Sequence, residues 1–122
     1  MTNHERQEKR IRALYKKWAP LLGMGEWDVT MRFHDGQYVQ PDGVASGSAI
    51  GTSSTDWEYR RSTIDWNTSL CALETDDRME GHVIHECMHV LLGEMDEDGV
   101  KHEERVVTSL MWAFLRVARS AK

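Results

Sequence analysis

Apolar residues recur at helical spacing near the start of the chain. Ile11, Leu14, Tyr15, Trp18 and Leu22 share one face, which predicts a first helix over residues 4–19. Pro20 ends or kinks it, and Gly23 and Gly25 supply a turn. The period then changes from helical to alternating. Trp27, Val29, Met31 and Phe33 point inward and Asp28, Thr30 and Arg32 outward, the pattern of a half-buried strand. Residues 34–43 read as a turn-rich connection through Asp35-Gly36 and Pro41-Asp42-Gly43. Residues 44–51 read as a second strand of small residues, whose glycines let another backbone come close. Residues 58–66 read as a third, with Tyr59, Thr63, Ile64 and Trp66 as strand formers. Three short strands after one helix predict a small, mostly antiparallel sheet. Residues 67–74 are expected to be a loop.

The helical period returns in two stretches. Asp77-Arg78-Met79-Glu80 has the form of a capping box and marks the start of a helix, with Gly93 suited to its C-terminal cap. Within that helix Val83, Ile84, Cys87, Met88, Val90, Leu91 and Leu92 predict burial on nearly all sides. Residues 94–99 form an acidic connection, too short and wrongly spaced for a helix-loop-helix calcium site. Residues 101–119 are expected to be the last helix.

The buried helix carries the candidate chemistry. It contains His85-Glu86-Cys87-Met88-His89, a His-Glu-x-x-His pattern. Residues four apart share a helix face, so the two imidazoles can hold one zinc ion. Glu86 lies about 100° around the helix from His85, where its carboxylate can reach a water on the metal and act as general base. Two histidines and a glutamate on so apolar a helix are costly unless something satisfies them, and a metal with its water does so. Cys87 points away from the histidine face and reads as a small buried hydrophobe.

Catalytic zinc commonly takes three protein ligands and leaves one position open. A histidine six residues after His89 would mark one large class, but position 95 is Met. Asp96, His102, Glu103 and Glu104 remain. Taken from Leu110 at about 100° per residue, Glu103 lies near the middle of the last helix's apolar face, Glu104 near one edge and His102 on the other side. Glu103 is therefore the expected third ligand, because a charge in an apolar stripe needs a partner. A helix start rotated by one residue exchanges the roles of Glu103 and Glu104.

Composition narrows the context. The chain has 122 residues, 29% charged and 40% hydrophobic, which suits one globular domain with its own core. No apolar run approaches the roughly 20 residues of a membrane span, and the first residues lack the apolar stretch of a signal peptide. With only Cys71 and Cys87, a reducing, cytoplasmic setting is expected. The net charge of −5 argues against a general nucleic-acid binder. Residues 5–17, with six basic and two acidic side chains, are the local exception and read as the solvated face of the first helix.

The His85-Glu86-Cys87-Met88-His89 motif, followed by a helix opening Glu103-Glu104-Arg105-Val106-Val107, resembles the gluzincins, the thermolysin-like zincins whose third ligand is a glutamate on a following helix. The compactness is similar to minimal gluzincins and small metallopeptidase-like proteins of phage and bacterial genomes. The resemblance implies an α+β, zincin-like single domain over residues 1–122: an N-terminal helix, a small sheet, the motif helix and a C-terminal glutamate helix. It implies His85, His89 and Glu103 as zinc ligands, Glu86 as general base, and peptide-bond hydrolysis of a peptide or protein substrate. An extended peptide would add to a strand above the motif helix, with residues 63–66 as platform. Tyr38, Tyr59 and His102 are candidate donors to the developing oxyanion. The larger enzymes' second subdomain has no counterpart here. Two other classes stay open: a non-catalytic binding module stabilised by zinc, and a phage-type nucleic-acid-associated protein on the same fold.

Overall fold

The computed structural model describes residues 1–93 and 103–120, with the side chain of Glu103 outside that description. The acidic connection at 94–99, Asp96, His102 and the expected helix start at 101 lie outside the described residues. Helix α1 runs Asn3–Leu21, and the Thr2 hydroxyl caps it by accepting from the Glu5 N–H. Pro20 falls in its last turn, where the missing N–H forgoes a single bond, so the helix runs on to Leu21. Ile11 and Trp18 are buried along it, with Leu14, Tyr15 and Leu22 packed beside them, the face the sequence marks.

Strand β1 is Asp28–His34, β2 is Gly51–Asp56 and β3 is Arg61–Asn67. The second strand therefore starts where the expected one ends. Its Gly-Thr-Ser-Ser-Thr-Asp sequence has no apolar alternation to announce it; β-branched threonines and cross-strand pairing hold it. A short 3-10 turn, Trp57–Tyr59, and Arg60 at φ 51° join β2 to β3, which shortens the expected third strand. Helix α2, Thr68–Cys71, occupies part of the expected loop, capped by the Asn67 side chain accepting from the Leu70 N–H.

The sheet order is β1-β3-β2, with β1 parallel and β2 antiparallel to β3. The sheet is thus mixed rather than mostly antiparallel. Alternation tells a strand which face is buried but not which neighbour it pairs with or in which direction. As the central strand, β3 has both edges occupied, so residues 63–66 cannot accept a further strand; among the described residues β2 is an edge strand, and it lies beside the motif helix.

The motif helix α3 is Asp76–Leu91, begun two residues earlier than the Asp77 box suggests because the Thr75 hydroxyl caps it. Val29, Met31, Phe33, Ile64 and Trp66 face α1 and one side of α3, where Met79, Val83, Cys87 and Val90 are buried. The last helix, α4, is Glu103–Ser120, and it packs on another side of α3. There Ile84 and Met88 meet Val107, Met111 and Leu115, with Trp18 of α1 joining them. The motif helix is therefore enclosed by sheet and helices, as its apolar flanks require. Past its Leu92 cap, Gly93 permits a close approach rather than a left-handed turn: a Cβ there would meet Thr55 of β2 at 3.2 Å. Among the described residues, no helix is long and apolar enough to cross a membrane.

Candidate metal centre

His85 and His89 emerge one turn apart at the side of α3 that borders β2 and the start of α4. Their Nε2 atoms lie 3.1 Å apart, and the rings meet edge to face. Both point at one carboxylate. Glu104 Oε1 is 2.7 Å from His85 Nε2, and Glu104 Oε2 is 2.8 Å from His89 Nε2. The two imidazoles are largely enclosed, whereas the Glu104 side chain is 67% exposed, so the cluster opens to solvent on the α4 side.

Among the described residues the carboxylate that meets the pair is that of Glu104, the alternative that the rotated wheel admits; the side chain of Glu103, which the Leu110-centred wheel favours, lies outside the described residues. The reason lies in which residues of α4 are buried. Val107, Met111 and Leu115 form the packing stripe, while Phe114 and Val117 are exposed. Taken from Met111, Glu104 lies only about 20° around the helix and continues the stripe by one turn beyond Val107. Several apolar residues of this helix face solvent, so composition alone draws the face too wide and off centre.

Glu86 is buried beside the pair and lines the same cleft. Burial pushes its carboxyl up to about 7; the nearby His89 opposes the shift and Glu104 adds to it. The His85 imidazole is held below its ordinary value, chiefly by burial and also by the neighbouring His89 and His82, against the pull of Glu104. A neutral imidazole is the form that offers a lone pair to a metal.

The donor set fits zinc. Two imidazole nitrogens and one carboxylate are a combination that catalytic zinc uses, with a position left open. The donor atoms lie within 4.8 Å of one another. A tetrahedral ion with bonds of about 2.0–2.1 Å needs donors about 3.3 Å apart, a spacing that lies within this range.

The walls of the cleft come from β2 and from a hairpin over residues 38–46. Gly51, Thr52 and Ser53 line one side, and Gln40 reaches in from the hairpin. No motif in the sequence marks these residues; only the fold brings them beside α3. Two of the candidate oxyanion donors are placed elsewhere. Tyr38 is buried, with its hydroxyl 2.8 Å from Thr52 Oγ1 and donating to the Asp65 carbonyl at 3.2 Å. Tyr59 is exposed under the Arg61 guanidinium, beyond the far end of β2. An apolar groove between α3 and α4, around Gly81, Met111 and Trp112, is lined by none of these residues. Compared with protein-family models, curated proteins and solved structures, the chain matches none.

Proposed function

We propose that this chain is a small zincin-like metallohydrolase that cuts peptide bonds, with His85, His89 and Glu104 as zinc ligands and Glu86 as general base. The observation that carries the reading is the convergence of two imidazoles and one carboxylate, beside a buried glutamate, in a cleft open to solvent. A zinc ion held there supplies Lewis acidity to a water and to a substrate carbonyl. Glu86 takes the proton of the attacking water on a carboxylate oxygen and returns it to the departing amide nitrogen. One wall of the cleft is β2, an edge strand among the described residues, whose backbone groups can hold an extended peptide by strand addition. That edge takes the place of the platform expected at residues 63–66.

A purely structural zinc has no use for Glu86, which supports hydrolysis over a non-catalytic tie. The basic stretch of α1, the one feature favouring a nucleic-acid role, is partly consumed within the fold. Arg10 donates to the carbonyls of Cys71 and Glu74, Arg12 pairs with Glu8, and Lys17 pairs with Glu80.

Zinc titration of the purified chain, followed by exposure of the loaded protein to a peptide library, tests the reading. One zinc per chain and cleavage are expected, with Glu86→Gln retaining the metal and cutting at least about 100-fold more slowly. Zinc bound without cleavage would assign the site a structural role, and no zinc at all would end the proposal.

A further inference from the structure

We infer that Gln40 is a substrate-binding residue of this cleft, donating its side-chain N–H to a carbonyl oxygen of a peptide laid along β2. The inference rests on the hydrolase reading above and adds to it a donor supplied by the chain itself.

Four of the other polar side chains of the cleft are engaged, those of His85, His89, Glu104 and Thr52. His85, His89 and Glu104 face one another. Glu86, when ionised, can only accept. The Thr52 hydroxyl is engaged with that of Tyr38. Ser53 is short and rises from the strand itself, opposite Ile64 in the ladder. Gln40 comes from the facing wall on a longer arm. Its backbone is used by the turn: its N–H donates to the Val44 carbonyl and its carbonyl accepts from the Gly43 N–H, both at 2.9 Å. Its side-chain amide has no hydrogen-bond partner among the described residues.

A donor aids binding only if it is held in place beforehand. The hairpin is braced at three levels. Val39 and Ala45 form a bridge, and Tyr38 and Ser46 exchange bonds, Ser46 N–H to the Tyr38 carbonyl at 2.8 Å and Tyr38 N–H to Ser46 Oγ at 3.0 Å. The Tyr38 ring stacks on His34 at 4.4 Å. His34 and Arg32 in turn hold the fully buried carboxylate of Asp65 on the central strand. The outer face of the sheet is thus an anchor that sets Gln40 against the cleft.

The test uses the zinc-loaded full chain and a phosphinic tripeptide, whose phosphinyl oxygens imitate a peptide carbonyl under attack. Calorimetry gives its affinity, chelator competition gives that for zinc, and thermal melts report the fold. Gln40→Ala is expected to bind the phosphinic peptide about 3- to 10-fold more weakly, the scale of one hydrogen bond. Zinc affinity and melting temperature should stay unchanged. Gln40→Glu, which replaces the donor by an acceptor, should bind at least as weakly as the alanine variant. Unchanged peptide affinity in Gln40→Ala would overturn the inference and leave the zinc site standing, as would a native, zinc-loaded protein that ignores the peptide. Failure of the native chain to bind zinc would overturn both readings.

Discussion

Glu104→Gln is the substitution that separates the two glutamates opening α4. Glutamine keeps the shape of the side chain but places an amide NH2 where one carboxylate oxygen meets an imidazole Nε2, at 2.7 or 2.8 Å. A side chain that merely orients a metal ligand is worth about 10–100-fold in affinity, so loss of a ligand should cost at least about 100-fold. Stability reads this out. At free zinc about 100 times the dissociation constant, the native fold gains about 2.7 kcal/mol. With roughly 2.1 cal/mol/K of unfolding entropy per residue, a chain of 122 residues shifts its melting temperature by about 4 °C per kcal/mol. Zinc should therefore raise the native midpoint by about 10 °C. At the same zinc concentration a 100-fold weaker variant gains only about 0.4 kcal/mol, or about 2 °C. Glu103→Gln is the matched control and should keep the native shift. Without zinc, Glu104→Gln should melt close to the native protein, because its side chain is mostly exposed. Differential scanning fluorimetry across a zinc series measures all of these. A full zinc response in Glu104→Gln would refute the ligand assignment, and its loss in Glu103→Gln alone would restore the Leu110-centred wheel.

Gly51→Ala should lower stability by about 1–3 kcal/mol, because the added Cβ would lie 2.7–2.8 Å from the ring of the fully buried Trp66; an alanine variant melting like the native protein would show that β2 does not cross that ring. Arg32→Met should cost about 1–3 kcal/mol in urea unfolding, since it takes one of two partners from the buried Asp65 carboxylate; an unchanged midpoint would remove this anchor from the account. Burial pushes the thiols of Cys71 and Cys87 up to about 11 and about 12, so both should resist a thiol-specific chromogenic reagent at pH 8 until the chain unfolds. The sign of the linkage follows: the thiols leave stability unaffected below the unfolded value of about 8.5, and above it rising pH favours the unfolded chain, where alone they ionise. Rapid native reaction at pH 8 would contradict the burial of both.

Much of this protein is legible in its residues alone. The face of α1, the inward set of β1 and the all-round burial of α3 follow from spacing, since period and polarity dictate which surface must leave water. The pairing of His85 with His89 follows from helix geometry, because four residues bring the chain back to the same side. The partners of those surfaces do not follow. Alternation gives a strand two faces but no neighbour, so the parallel pairing of β1 with β3 and the central place of β3 had to come from the fold. The strand Gly51–Asp56 carries hardly any hydrophobic signal, because its fit depends on a glycine lying over Trp66 and on its cross-strand ladder. The meeting of Glu104 with the two histidines depends on which of several apolar residues of α4 are covered, and only the packing against Ile84 and Met88 selects Val107, Met111 and Leu115. Gln40 had no local mark at all. It stands in the cleft because a hairpin far from the motif in sequence is tied to the outer face of the sheet through Tyr38, His34, Arg32 and Asp65. Local sequence determines what each segment must bury or can ligate. Which segments meet is decided by burial of all those surfaces at once, a condition that no single segment contains.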